Sequence, residues 1–231
     1  MNSANIKEGF KNAIPIMSGY FPIAAAYGLL AASQGISFLE TVSMSLIVFA
    51  GAAQFIAVQM LSADAAFNSI ASTVFLMNLR HFLMSASVKS KMGHVSKFKF
   101  PFIAFFVTDE TFAVSSSKQT RIESDYMLSL QIPSYLSWVA GSAAGYAAGN
   151  FIPEILINCM GIALYAMFIA LLIPAVKKSR RNGIIAASAA ILNTLLIKTE
   201  LTGPNTSLII TIISIPLVFT LLSSGAEKNA K

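Results

Sequence analysis

The sequence is poor in charge and nearly devoid of cysteine. Only 11% of its 231 residues are Asp, Glu, Lys or Arg, while 55% are hydrophobic and the mean hydropathy is +0.70. A soluble domain carries about 25% charged residues, so this scarcity excludes an ordinary water-soluble fold and predicts an integral membrane protein. The single Cys159 excludes an intrachain disulfide and reads as a small buried hydrophobe. There is no Gly-rich phosphate loop followed by Lys-Ser/Thr, no Cys/His pair at metal spacing, and no Gly-x-Ser-x-Gly or His-Glu-x-x-His motif. The sequence therefore predicts neither an enzyme nor a binder of metal or cofactor. No positively charged leader with a small-residue cleavage site precedes the first apolar block, so no cleaved signal peptide is expected.

What is present is a series of apolar blocks, at 13–33, 39–61, 66–88, 100–117, 127–150, 154–176, 183–199 and 205–223. Their length predicts helices rather than the alternating decads of a membrane barrel. Connections are short, which predicts one membrane domain over residues 1–231. The formal charge of +6 sits in those connections, the distribution of cytoplasmic loops rather than of a nucleic-acid surface. The fourth block is barely long enough to span and carries Asp109 and Glu110 midway. If it enters and returns on one face and the N-terminus is outside, the basic loops gather inside, leaving only Lys7, Lys11 and Lys198 outside. The expectation is an all-α protein with seven transmembrane helices and a short re-entrant or polar fourth segment, eight spans being the alternative.

A faint repeat relates 9–117 to 127–223. Pro15 and Gly28 are echoed by Pro133 and Gly145, Phe55-Ile56-Ala57 by Phe168-Ile169-Ala170, and Ile70-Ala71 with Asn78 by Ile185-Ala186 with Asn193. The halves would be inverted with seven spans and parallel with eight, and a substrate site is expected where they meet.

The polar residues at membrane depth are the candidates for function. In the third block, Asn78, Arg80 and His81 fall within a helical arc of about 160°, with Ser85 continuing the Asn78 face at i+7. A charge near the bilayer centre costs roughly 2.5–3.5 kcal/mol on insertion scales, and such a residue normally faces a bundle interior or wet cavity. This helix is expected to line a substrate path. Asp109 and Glu110 are counter-ions for Arg80 or proton carriers, with His81 a second relay; the bland alternative is an ion pair that only closes the bundle. Pro15, Gly19 and Pro22 predict either a broken first helix whose freed amides meet a carboxylate or a harmless kink. Gly51 and Gln54, in FAGAAQF at 49–55, are candidate substrate contacts or packing glue. Gly141, Gly145 and Gly149, four apart, predict a close helix crossing.

Those same residues resemble a known family. The Pro-rich opening helix, FAGAAQF at 49–55, NLRH at 78–81, TDETF at 108–112 and the basic loop after the sixth block are similar, in order and spacing, to the AzlC family from about Gly9 to Pro216. Its members are large subunits of branched-chain amino acid exporters. The resemblance implies a cell-membrane exporter of branched-chain or similar apolar amino acids, driven by the proton gradient. It also implies a separately encoded AzlD-type partner with about four spans. The matching positions are Gly51, Gln54, Asn78, Arg80, His81, Asp109 and Glu110. The residue reading assigns Gln54, Asn78, Arg80, Pro15, Gly19 and Gly51 to substrate, and Asp109, Glu110 and His81 to the proton. A non-transporting scaffold or channel-like subunit, or a transporter of another small solute, are the alternatives.

Overall fold

A run of 31 residues, Ser3–Ser33, forms the first helix, α1, uninterrupted through Pro15 and Pro22. The computed structural model describes residues 3–93, 95–118 and 121–149, and beyond them 169, 172–173, 176–177, 179–199, 207, 210–211, 214–215 and 217–220. Among these, α1 is the one helix both long and apolar enough to cross a bilayer. It is followed by α2 (Phe38–Ile47), α3 (Gly51–Ser62), α4 (Phe67–Lys91), α5 (Lys99–Phe105), α6 (Asp109–Ser116) and α7 (Ser124–Ala148). The chain divides into two compact units, Met1–Tyr165 and Ala166–Lys231, and α1–α7 belong to the first. In the second, α8 (Arg180–Lys198) receives a hydrogen bond from Ser207 Oγ on Asn193 Oδ1 at 2.6 Å, and Arg181 donates to the Phe219 carbonyl. Among the described residues there is no strand, only an isolated bridge between Met92 and Ile122. Most of block six and about half of block eight lie outside the described residues, and with them Phe168 and Ala170 of the second copy of the repeat.

The axis of the first unit is the parallel pair α1 and α7. Small residues let their backbones touch: a Cβ on Gly145 would collide with the backbone of Ala25, and one on Gly28 with the carbonyl of Ser142. Gly141 meets the Phe21 carbonyl and Gly149 the Ala32 methyl, so the predicted glycine face is the α1 contact. Ser137 adds a hydrogen bond to the Met17 carbonyl at 2.9 Å. Pro15 and Pro133, matched in the repeat, thus sit on neighbouring helices that run the same way.

Around this pair the chain makes two helical hairpins from opposite ends. Block two is not one continuous helix. It breaks at 48–50, and α3 folds back on α2 so that Gln54 Nε2 donates to Ser45 Oγ at 2.8 Å. Rungs along α1 and α7 show the reversal. Phe38 meets Tyr146, Phe49 at the tip meets Tyr20 and Tyr135, and Phe55 returns to Tyr27. Block four breaks at 106–108. Here Phe100 lies by Lys89, Phe106 at the tip reaches Tyr135, and Ser116 returns to accept from Lys91 Nζ. The two tips meet halfway along α1 and α7. Helix α4 runs antiparallel to that pair and ends beside the start of α7, where Ile122 N–H donates to the Lys91 carbonyl.

This path gathers the first unit's basic residues, Arg80 apart, at one end. Lys118 pairs with Glu8 at 2.8 Å, and Lys7 and Lys11 lie beside Asp125 on the same end as Lys89, Lys91, Lys97, Lys99 and Arg121. The loops at the opposite end, 34–37 and 63–66, contain no Lys or Arg. Lys7 and Lys11, exceptions in the sequence-based topology, are therefore on the basic side, because the second hairpin brings the start of α7 back to the start of α1.

Candidate functional site

Each hairpin tip starts a short helix at mid-height, and the two starts differ. Helix α6 is capped by Thr108, whose Oγ accepts from Thr111 N–H while Thr111 Oγ accepts from Thr108 N–H at 2.9 Å. That satisfies orphan donors locally and fixes Asp109 and Glu110 in its first turn, where the helix dipole favours negative charge. Helix α3 follows Ala50, which has no side chain able to cap it. Its start is held instead by packing: Gly51 lies flat against the Trp138 ring, which a Cβ would strike.

Beside the α6 tip, Arg80 of α4 places Nη1 3.0 Å from Asp109 Oδ2. Both side chains are about one-third exposed, so the pair is neither sealed nor free in solvent. Glu110 accepts a hydrogen bond from the Tyr20 hydroxyl of α1, which also lies 2.7 Å from Thr108 Oγ. Arg80 Nε, Asn78 Oδ1 and His81 Nδ1 are shielded and make no hydrogen bond to protein. A shielded polar atom without a partner costs free energy, and three such atoms lie on α4 beside the ion pair. His81 also opens onto a groove of about 480 Å³ that continues past Ser85 to Lys89 at the basic end, walled by Phe100 and Ala104.

The sequence candidates separate into three groups. Arg80 and Asp109 pair between α4 and α6, with Asn78 and His81 neighbouring Arg80 on α4 and Glu110 following Asp109 on α6. Gln54 is buried and occupied at both ends, accepting from Trp138 Nε1 at 2.9 Å and donating to Ser45, which is itself 2.8 Å from Ser142 Oγ. Together with Gly51 it forms a latch between the first hairpin and α7. Pro15 and Gly19 lie exposed on α1, and a Cβ at Gly19 would meet nothing within 4 Å. Of the two readings of Pro15, Gly19 and Pro22, the broken helix is absent, since α1 is continuous over Ser3–Ser33; the breaks are at 48–50 and 106–108.

Tyr20, Thr108, Tyr135 and Trp138 complete the site, and the sequence singled out none of them as a site residue. Tyr20 had one available cue, a hydroxyl in the middle of an apolar block. Its ring packs edge-on against Phe49 and Trp138 at 5.9 and 5.5 Å while its oxygen faces Glu110, so it joins both tips. Tyr135 does the same from α7, between Phe49 and Phe106 at 5.2 and 5.0 Å.

Two opposed hairpins on a close-packed helix pair, with a guanidinium–carboxylate cluster at their meeting point, define an all-helical unit consistent with a membrane protein. The family follows from the sequence of these same elements. Residues 15–152 match the model of the AzlC protein family, and the chain belongs to that family. It is 33% identical to an uncharacterised membrane protein of Archaeoglobus fulgidus over 198 residues, covering 82% of this chain and 84% of that one. It is also 33% identical to the inner membrane protein YgaZ of Escherichia coli, over 80% and 79% of the two chains. The branched-chain amino acid transport protein AzlC of Bacillus subtilis is 28% identical over 78% and 71%. No solved structure matches.

Proposed function

We propose that this protein is a secondary transporter, the large subunit of a two-component exporter that moves branched-chain or similarly apolar amino acids out of the cell. The observation that carries the reading is the Arg80–Asp109 pair at the hairpin tips, with Asn78, Arg80 and His81 each presenting an unpaired polar atom beside it. Family membership and the name of the Bacillus subtilis relative support the substrate class.

In this mechanism the substrate carboxylate takes a place on the Arg80 guanidinium, which binds carboxylates through a planar fork of donors. Asp109, released in part from Arg80, faces the ammonium group. Glu110 exchanges the coupling proton, with the Tyr20 hydroxyl holding its carboxylate in place, and His81 relays toward the groove. The aromatic residues at the tips wall the aliphatic side chain. Gln54 and Gly51 hold the first hairpin in register rather than touching substrate.

In the membrane, α1, α4 and α7 cross while the hairpins α2–α3 and α5–α6 each enter from one face and return. Irregular backbone at depth is tolerated where protein buries it, as Tyr20, Tyr135 and Trp138 do for these tips. The basic end is cytoplasmic by the positive-inside rule, which sets the N-terminus inside. On this reading neither block two nor block four crosses, where the sequence-based expectation had only block four returning on one face.

The test is leucine efflux from proteoliposomes containing this chain and an AzlD-type small subunit, with and without a pH gradient. Efflux that accelerates when the receiving side is acidified is the expected result. Efflux indifferent to the gradient removes the proton from the mechanism. No efflux with the partner present leaves the scaffold reading instead.

A further inference from the structure

Away from the polar cluster, the α1–α7 pair carries a groove of about 610 Å³ at its basic end. Its walls are apolar: Phe10 and Ile14 of α1 are about half exposed, Ile132 of α7 is 41% exposed, and Pro133 completes the floor. Its rim is charged. Lys7 and Lys11, four residues apart and so on one helix face, stand at the mouth, with Asp125 across from them. Lys118 is not available to neutralise an anion there, because Glu8 and the Tyr126 ring engage it.

We propose that this groove binds an anionic phospholipid, with the phosphate between Lys7 and Lys11 and one acyl chain along Phe10, Ile14, Ile132 and Pro133. The division of the groove matches the division of the ligand. An aliphatic chain suits the apolar length, and the paired cations sit where the helix leaves the bilayer core. Juxtamembrane lysines attract anionic lipid by about 1 kcal/mol each, and their stems can lie on apolar surface while the ammonium groups reach the headgroup layer. The two ammonium groups outnumber the single Asp125 carboxylate across from them, so the rim keeps a net positive charge that favours an anionic over a zwitterionic lipid. The bound lipid would brace the basic ends of the two helices that carry Tyr20 and Tyr135.

The test is native mass spectrometry of the full chain in detergent, titrated with dioleoylphosphatidylglycerol or dioleoylphosphatidylcholine. Wild type is expected to retain the phosphatidylglycerol preferentially. Lys7→Ala/Lys11→Ala should weaken that retention roughly thirtyfold, about fivefold per lysine, and leave phosphatidylcholine unchanged. Ile14→Trp, which fills the groove without altering charge, should weaken both. Lys97→Ala/Lys99→Ala serves as the charge control. An equal loss in that control would reduce the effect to general surface charge and overturn the site. A photocrosslinker at Ile14 that captures the small subunit or a second copy rather than lipid in native membranes would overturn it as well.

Discussion

Trp138 donates its indole N–H to Gln54 Oε1 at 2.9 Å, joining α7 to the start of α3. Two consequences follow for stability. Gln54→Leu leaves a buried indole donor without an acceptor and also removes the donor to Ser45. Losing a buried partner costs about 1–3 kcal/mol, and interhelical hydrogen bonds in membranes average nearer 0.6. A drop of several degrees in the melting temperature in detergent is expected, with a change in Trp138 fluorescence, the protein's one tryptophan. Gln54→Glu keeps an acceptor for the indole but buries a carboxyl group, so it should lose less than Gln54→Leu only at acidic pH, where that group is protonated. An unchanged melt in Gln54→Leu would remove the latch from the account.

For the ion pair, charge reversal separates binding from packing. Arg80→Ala and Asp109→Asn should each abolish leucine efflux while the protein still inserts and purifies. If the pair only closes the bundle, the double variant Arg80→Asp/Asp109→Arg restores the contact and efflux returns. If Arg80 meets the substrate carboxylate, the double variant is stable and inactive. The second outcome is expected, because both side chains remain one-third exposed and Arg80 keeps an unpaired Nε.

Tyr20→Phe removes one hydroxyl and leaves the ring packing of the tips intact. Thr108 and Thr111 still cap α6 through each other, so the loss in stability should stay near 1 kcal/mol. Glu110 loses its donor, and coupling should suffer more than binding. The expected result is leucine binding close to wild type, with efflux that responds weakly to the pH gradient. Loss of binding in parallel with efflux would make Tyr20 a substrate contact instead.

Much of the candidate site was legible because burying charge is so costly that Arg80, Asp109 and Glu110 announce themselves in apolar blocks. Helix positions were legible too: blocks 66–88 and 127–150 correspond to α4 (Phe67–Lys91) and α7 (Ser124–Ala148). The break before Asp109 could be suspected, since its block was too short for a full span and acidic at the middle. The break at 48–50 could not. Val48-Phe49-Ala50 has no proline and no capping side chain, so nothing local ends the helix. Tertiary packing does, with Phe49 held between Tyr20 and Tyr135 and Gly51 against Trp138. The prolines left both outcomes open, and packing again decided. Pro15 and Pro22 cost α1 two amide donors, yet the helix continues because its inner face is clamped along α7.

The hairpin in block two makes a topological prediction opposite to that of a continuous span. Gln34 and Ala63 flank the block and are both exposed. If residues 39–61 cross the bilayer, these positions lie on opposite sides. If α2 and α3 form a half-depth hairpin, they lie on the same side, away from the basic end. In a Cys159→Ser background, Gln34→Cys and Ala63→Cys should both react with a membrane-impermeant maleimide added to intact cells. Lys97→Cys and Ser117→Cys, flanking the second hairpin, should react only after the membrane is opened. Labelling of Gln34→Cys and Ala63→Cys from different sides would restore the continuous span, and the meeting of the two tips would lose its basis. Because Lys7 and Lys11 belong with Lys97 and Arg121, Lys7→Cys should follow the second pair; its labelling in intact cells would invert the first unit in the membrane without disturbing the hairpins.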